Sequence, residues 1–206
     1  MGYAVQAIEP SSVMRAQAAP HPRVHWLEGV AERLPLGGAS VDGVVSTLAI
    51  HHFSDLKRSL LEMDRVAGTG PIVLFTFDYS VIERPWQGDY FPSLWADMTR
   101  PLPPLSELSA WITENTPRRV EIVPFLLPSD LTDLFMLAAW SRPHLYLDPE
   151  VRAGISTFAL ADEGEVEAGL ARLRTDLEGG RWEATYGELL KRNELDLGYR
   201  FLCATT

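Results

Sequence analysis

The sequence predicts an α/β fold: a doubly wound, Rossmann-like, mostly parallel sheet with an antiparallel last strand and a helical cap insertion. Three observations support this. Short apolar runs alternate with helical patterns up to residue 78, as in a sheet covered by helices. The run "PIVLFTF" (71–77) is continuously apolar, as a strand buried on both faces requires. A final strand-like run at 197–205 follows a helical region, which is typical of an antiparallel edge strand.

Each element of the first half has its own signal. Ser11 or Ser12 can cap a helix that runs to about Ala18, and Ser54 can cap the next one. That second helix has apolar residues at the spacing of one helical face: Leu56, Leu60, Met63 and Ala67. The predicted strands lie at 3–8, 24–27, 41–50 and 71–77.

The chain changes character after Asp78. The segment 79–104 is rich in aromatic residues and proline: Trp86, Tyr90, Phe91, Trp95, Pro101, Pro103 and Pro104. This composition indicates either a lid or substrate cap, or a loop packed onto the core. A further strand is predicted near 120–127, where Pro124 places it near a sheet edge. Helices are predicted at 131–140, 149–160, 165–177 and 182–192.

Charge and composition exclude several classes of partner. The 206 residues carry a formal charge of −10, so the chain lacks the clustered cations with which proteins bind nucleic acid or an anionic membrane. No apolar run reaches the roughly 18 residues of a membrane-spanning helix. The single cysteine, Cys203, excludes an intrachain disulfide and fits a reducing compartment, so a cytoplasmic location is expected.

Glu9 and the adjacent pair His51 and His52 carry possible chemistry. Glu9 follows the first strand, where a carboxylate can accept hydrogen bonds from both hydroxyls of a ribose; a solvated loop carboxylate would look the same. His51 and His52 follow the third strand, where a histidine can act as a base, although a structural role is the alternative. No spacing predicts a metal site, and neither G-x-G-x-x-G, GK[ST] nor G-x-S-x-G occurs.

Four segments, taken in order, resemble one family: "AIEPSSVMRAQA", "HWLEGVAERLPLGGASVDGVVSTLAIHHF", "DLKRSLLEMDRV" and "GPIVLFTFD". They are similar to class I S-adenosylmethionine-dependent methyltransferases, in particular the small-molecule branch called UbiE or type 11. The resemblance implies a partial S-adenosylmethionine-binding core at 1–78. It also implies a closing core strand at 193–206. The segment between them, 79–192, is expected to form lid or cap helices, with the strand near 120–127 among them.

The resemblance also assigns expected roles to individual residues. Glu9 would bind the ribose hydroxyls, and Ser11 and Met14 would lie against the ribose and adenine. Further positions complete the expected site: Ala31 and Glu32 at the adenine edge, Thr47 and Leu48 on the methionine side, and His51 near the substrate mouth. The expected cofactor is S-adenosyl-L-methionine and the expected partner is a small-molecule methyl acceptor held beneath the aromatic cap; the sequence leaves the oligomeric state open.

Two departures from the family pattern matter. Many members have an acidic residue where Val30 stands, and valine cannot hydrogen-bond the adenine amino group. The family's first strand and its D-x-G-x-G-x-G turn would precede Tyr3, and the sequence does not contain them. We therefore expect a chain that is truncated and impaired, with two inner strand edges unpaired.

Two other functions stay open from sequence. Without the glycine turn, the chain can be a non-catalytic binding or structural module. A different nucleotide-dependent α/β enzyme, such as a nicotinamide dehydrogenase, can also use Glu9 to hold a ribose.

Overall fold

The structure is a computed structural model that describes residues 2–99 and 102–206; Pro101 of the predicted cap lies outside them. The strands are β1 (Val5–Ile8), β2 (Val24–Leu27), β3 (Val44–Thr47), β4 (Ile72–Phe77), β5 (Arg119–Pro124), β6 (Leu127–Pro128), β7 (Glu194–Leu195) and β8 (Tyr199–Thr205). The helices are α1 (Ser12–Gln17), α2 (Leu56–Ala67), α3 (Trp86–Tyr90), α4 (Pro92–Thr99), α5 (Leu105–Asn115), α6 (Pro149–Ala153), α7 (Ser156–Leu160), α8 (Glu163–Glu178) and α9 (Arg181–Tyr186).

The chain forms two compact units. Unit 1 comprises residues 1–76, 105–123 and 200–206, and unit 2 comprises 77–104 and 124–199. Helix α5 and most of β5 therefore cluster with the first strands rather than with the aromatic segment. The domain boundaries expected from the sequence, at 78 and 192, stay a prediction.

The predicted α/β fold class is confirmed by the strand pairing. Strand β1 pairs in parallel with β2, and β3 pairs in parallel with β4 in the register Val44–Ile72 to Thr47–Phe75. The larger sheet has the order β3-β4-β8-β5, so β5, with its Pro124, lies at an edge as predicted.

The last strand, β8, runs antiparallel to β4 as predicted, but the predicted edge position is wrong, because β8 lies between β4 and β5. At its start, the Gly198 carbonyl accepts a hydrogen bond from the Asp78 amide at 2.8 Å. At its other end, the Thr206 hydroxyl donates to the Thr69 carbonyl at 3.3 Å. Because the beginning of one strand meets the end of the other, the two strands run in opposite directions.

The strands of unit 1 lie in two separate sheets. Strands β1 and β2 form a two-stranded sheet, apart from the four-stranded one. Among the described residues, β1 has only β2 as a neighbour and β3 has only β4. Val45 of β3 is 72% exposed and Val5 of β1 is 43% exposed, unlike valines of a parallel sheet buried on both faces.

Helix α2 follows the pattern read from the sequence. Its buried face contains Leu60, Met63 and Ala67, which were predicted to share that face. The cap is Asp55, whose side chain accepts from the Arg58 amide, rather than the predicted Ser54. The helix ends at Gly68, whose φ of 58° favours glycine.

One arginine fixes the carboxyl end of α2. The Arg118 side chain is fully buried and pairs with Asp64 at 2.6 Å. The same guanidinium also donates to three backbone carbonyls, those of Gly68, Gly70 and Ala204. A buried charge is stable when it is paired and hydrogen-bonded in this way.

Unit 2 has an aromatic core of its own. Trp86 contacts four other rings edge-to-face or tilted, those of Tyr90, Tyr146, Trp182 and Tyr186. The aromatic segment expected to be either a lid or a packed loop therefore forms helices α3 and α4, whose side chains supply much of this core.

Several predicted helices of unit 2 differ from the structure. Residues 131–140 form turns and irregular chain, so the helix predicted there is wrong. The helix predicted at 149–160 is two helices, α6 and α7, separated at Gly154 and Ile155. The pattern at 182–192 gives α9 followed by a 3₁₀ turn over Gly187–Lys191.

Candidate functional site

The end of β1 carries the first group of predicted site residues. Glu9 follows the strand directly, and its Oε1 accepts a hydrogen bond from the Ser11 amide at 2.8 Å. Ser11 caps α1, and its hydroxyl accepts from the Met14 amide at 3.3 Å. The predicted cap is confirmed, and these three residues form one cluster. The Met14 side chain is 57% exposed, which leaves an apolar surface beside the carboxylate.

An arginine that the sequence reading missed stabilises this cluster. Arg15 donates to the Glu9 carbonyl at 2.6 Å and the Pro10 carbonyl at 2.9 Å, and it pairs with Glu28 at 2.7 Å. Arg15 thereby ties the loop after β1 to the loop after β2. A basic residue one turn after a helix cap is too common a signal to predict this contact from sequence.

The turn after β2 lies against the end of β1. A Cβ on Gly29 would lie 2.7 Å from Pro35 and 3.0 Å from Ile8, so only glycine fits without a shift of its neighbours. The next residues form a turn closed by the Arg33 amide, which donates to the Val30 carbonyl at 3.1 Å. This turn contains Ala31 and Glu32, both partly exposed.

Glu32 is held by the loop that precedes α2. Its Oε1 accepts from the Ser54 amide at 2.7 Å, the Ser54 hydroxyl at 2.8 Å and the Asp55 amide at 3.2 Å. Partial burial raises the pKa of Glu32, but the hydrogen bonds outweigh it and hold the pKa below its usual value. Glu32 therefore links the turn after β2 to the start of α2, a role that the sequence reading missed.

The end of β3 carries the second group. Thr47 is exposed at the last position of the strand. Leu48 follows with a φ of 47°, in the left-handed region that favours glycine, and its amide donates to the Phe75 carbonyl at 2.8 Å. Strained non-glycine residues of this kind concentrate at functional sites. The backbone at Leu48 is thus consistent with the predicted role of this strand end.

His51 lies in a 3₁₀ turn over Ile50–His52, three residues beyond Leu48. Its ring centroid is 3.9 Å from that of His52. Burial, together with the neighbouring His52, lowers the pKa of His51 below 6.5. The imidazole is therefore neutral at pH 7 and can accept a proton.

The predicted residues thus fall into groups at the carboxyl ends of parallel strands. Glu9, Ser11 and Met14 form one group, beside the turn that holds Ala31 and Glu32. Thr47, Leu48 and His51 form the other group, and the Ser54 contact connects Glu32 to the loop that follows it. Within residues 2–99 and 102–206, no hydrogen bond or ion pair joins Glu9 directly to the β3 group.

Neither a membrane-spanning helix nor a metal-binding cluster occurs among the described residues. No helix among them is both long and apolar enough to cross a lipid bilayer. No group of three or more histidine, cysteine, aspartate or glutamate side chains within the same part of the chain is arranged to hold a metal ion.

Known proteins resemble the chain both in part and over nearly its full length. A family model described as a methyltransferase domain matches residues 1–75. The ubiquinone/menaquinone biosynthesis C-methyltransferase UbiE of Rubrivivax gelatinosus is 38% identical over 68 residues, which are 32% of this chain and 27% of that protein. The chain therefore matches about a quarter of the length of this curated relative.

Two solved structures share the fold. One, described as a methyltransferase from an antibiotic biosynthesis pathway of Anabaena variabilis, is 55% identical, with a TM-score of 0.95 over 98% of this chain and 82% of that one. The YcgJ protein of Bacillus subtilis superposes with a TM-score of 0.51 at 16% identity, over 97% of this chain and 80% of its own. At that identity, the second match shows the fold alone.

The identity with the Anabaena protein extends over most of both chains, and the family model covers the strands that carry the predicted cofactor residues. The chain belongs to the class I S-adenosylmethionine-dependent methyltransferases, in their type 11 branch.

Proposed function

We propose that this protein transfers a methyl group from S-adenosylmethionine to a small organic molecule. The observation that carries the proposal is the Glu9 carboxylate at the end of β1. Its Oε1 is fixed by the Ser11 amide at 2.8 Å, and its Oε2 has no hydrogen-bond partner among the described residues. A carboxylate oriented through one oxygen, with the other free, suits the two hydroxyls of a ribose.

The surrounding residues fit a nucleoside. The exposed Met14 side chain offers apolar surface to an adenine ring, and Val30, 43% exposed in the turn after β2, offers more. Ala31 borders the same edge in this proposal. Glu32 contributes through the turn it stabilises, because three donors already occupy its Oε1. Because Val30 stands where many family members have an acidic residue, it makes an apolar contact with the adenine and no hydrogen bond to the adenine amino group.

The methionine side of the cofactor is assigned to the end of β3. Thr47 and the strained backbone at Leu48 would lie along it. When bound, S-adenosylmethionine supplies an activated methyl group on its sulfonium sulfur. The residues of the chain have to hold donor and acceptor in line and exclude water. His51, neutral at pH 7, accepts the proton that an O–H or N–H acceptor loses.

We also propose that the 206 residues alone form a weakened cofactor site. The sequence contains no D-x-G-x-G-x-G turn, which in the family contacts the methionine part. The edges of β1 and β3 that have no neighbouring strand within residues 2–99 and 102–206 support this proposal. S-adenosylmethionine and adenosine are then expected to bind this chain with affinities within about tenfold, a difference below roughly 1.4 kcal/mol. Calorimetric titration measures both, and a far tighter affinity for S-adenosylmethionine overturns the proposed weakening.

The proposed acceptor is a small molecule and the proposed location is the cytoplasm. The acidic net charge of −10 supports the first proposal, because it disfavours nucleic acid as the substrate. The lone Cys203 supports the proposed location, since a chain with one cysteine forms no intrachain disulfide and therefore fits a reducing compartment.

Labelled S-adenosylmethionine tests the function. The chain is incubated with the labelled cofactor and a panel of small phenols, amines and carbon acids, and both bound label and transferred label are measured. Binding with transfer, even at a low rate, is the expected result. Binding without any transfer favours the non-catalytic module over the enzyme. The absence of both binding and transfer overturns the proposal.

A further inference from the structure

Strand β3 has a free edge within unit 1. It pairs with β4 on one side, and none of the described residues forms a strand on its other side. The Val44 and Leu48 amides both donate to carbonyls on the β4 side, at 2.9 Å and 2.8 Å. Because alternate residues of a strand direct their backbone groups to opposite sides, those of Gly43, Val45 and Thr47 point to the free side.

This free edge is accessible. Gly43, Val45 and Thr47 are all exposed, and Val45 is 72% exposed. Within residues 2–99 and 102–206, the backbone groups of these three residues have no hydrogen-bond partner on that side. An exposed strand edge with unpaired donors and acceptors can pair with a further strand.

The free edge of β3 also differs in charge from the other edge of the same sheet. The sequence has no Asp, Glu, Lys or Arg between Gly43 and Ser54. Strand β5, at the opposite edge, carries the exposed Arg119 and Glu121. Charged side chains keep an edge strand from pairing with other chains, so β5 is protected and β3 is not.

The edge is complementary to a second copy of itself. In an antiparallel pair centred on Val45, this residue lies opposite the partner's Val45, and Thr47 lies opposite the partner's Gly43. All of these residues direct their backbone groups to the free side, so each pair can exchange both backbone hydrogen bonds. The two exposed valines then contact each other across the strands, which stabilises such a pair.

Charge favours the same partner. Each chain carries a formal charge of −10, so two copies repel each other least where neither has a charged side chain. Asp42 is the nearest carboxylate before the strand. In this register it is about 20 Å along the strand from the partner's Asp42. That separation exceeds the roughly 8 Å over which charges interact at physiological salt.

We propose that two copies of this chain associate by antiparallel pairing of their β3 strands, about a two-fold axis at Val45. The pairing joins the two four-stranded sheets into one and uses both free β3 edges, so association ends at two chains. Because the contact is short, the dimer is expected to dissociate on dilution. The inference concerns association and does not rest on the proposed methyl transfer.

Sedimentation equilibrium of the full chain from about 1 µM to 1 mM, without S-adenosylmethionine, tests the association. The mass is expected to rise from one chain to two. Val45→Asp places two carboxylates opposite each other, so its mass should stay that of one chain. Val123→Asp changes an exposed valine of β5 and should dimerise like the unmodified chain. One chain at every concentration, assembly beyond two chains, or a dimer that persists in Val45→Asp overturns the inference.

A cysteine variant tests the register and does not depend on how Val45→Asp folds. In the proposed pair the Cα atoms at position 45 lie about 5.5 Å apart, within the range of a disulfide. Mild oxidation of Val45→Cys should therefore give a covalent dimer on a non-reducing gel. Val123→Cys and the unmodified chain, whose Cys203 is partly buried, should not. The absence of a covalent dimer from Val45→Cys refutes the pairing, and the labelled-cofactor assay shows separately whether the proposed function stands.

Discussion

The substitution Glu9→Gln separates ribose recognition from a purely structural role of the carboxylate. Glutamine keeps the side-chain length and one oxygen to accept from the Ser11 amide, which now lies at 2.8 Å from Oε1. It loses the charge and replaces the free oxygen by an amide group. A hydrogen bond to a charged group contributes roughly 1.5–3 kcal/mol, so adenosine binding should weaken about 10- to 150-fold.

The assay compares adenosine with 2′,3′-dideoxyadenosine by calorimetry. The unmodified chain should prefer adenosine, because only adenosine has hydroxyls for Glu9, and Glu9→Gln should lose most of that preference. Glu121→Gln is the control, since Glu121 is an exposed carboxylate of the same unit, on β5, and takes no part in the Glu9 cluster. The reasoning is refuted if Glu9→Gln weakens both ligands equally, or if Glu121→Gln changes the preference as much.

Three further predictions concern stability and pH. Arg118→Met should lower the free energy of unfolding by roughly 3–5 kcal/mol, or the melting temperature by about 6–20 °C, because it leaves the Asp64 carboxylate unpaired. Gly169→Ala in α8 should cost about 1–3 kcal/mol, since its Cβ would lie 2.5 Å from the Tyr90 carbonyl oxygen. The folded-state pKa of His51 lies below 6.5, so the unfolded state binds this proton first. Stability should therefore fall as the pH drops from 6.5 towards the folded-state pKa, and His51→Gln should remove that share of the pH dependence.

Each of these has a measurement and a control. Thermal unfolding followed by circular dichroism checks Arg118→Met against Arg181→Met, whose exposed ion pair with Asp176 is 3.6 Å long and should matter little. Gly164→Ala, in the same helix as Gly169, meets only the Asp162 side chain at 3.3 Å and should not destabilise. Denaturant titrations at several pH values check His51; parallel pH profiles for the two proteins contradict the assignment.

Local signals predicted the first half of the fold well. Ser11 was a correct cap because its hydroxyl reaches an amide three residues on, a contact set by the chain itself. The apolar spacing of α2 likewise identified its buried face, including Leu60 and Met63. Helix α5 was not among the predicted helices, although Leu105, Leu108 and Ile112 carry the same kind of spacing.

The helix predicted at 131–140 shows why an apolar run alone is ambiguous. Met136 to Trp140 are buried, as a helix would require, but the chain there is irregular. Side chains beyond the segment satisfy carbonyls within it: Arg142 donates to the Leu131 carbonyl at 2.5 Å, and the Tyr146 hydroxyl donates to the Met136 carbonyl. These contacts satisfy backbone groups without a helix and come from residues well beyond one helical turn, which periodicity does not show.

The candidate site divides in the same way. The position of Glu9 after a strand and before a helix cap was readable locally, and the structure places it there. The hydrogen bonds of Glu32 with Ser54 and Asp55 could not be predicted from local sequence, because they span more than twenty residues. The left-handed backbone at Leu48 leaves no mark in composition, since leucine is not a residue that favours it.

The most direct test of the proposed cofactor site is an NMR titration of the ¹⁵N-labelled chain with S-adenosylmethionine. Backbone amide shifts are expected at Glu9, Ser11 and Met14, at Ala31 and Glu32, and at Thr47 and Leu48, with little change in unit 2. Shifts confined to unit 2, or no saturable shift at Glu9 and Ser11, would contradict the site that these strand ends are proposed to form.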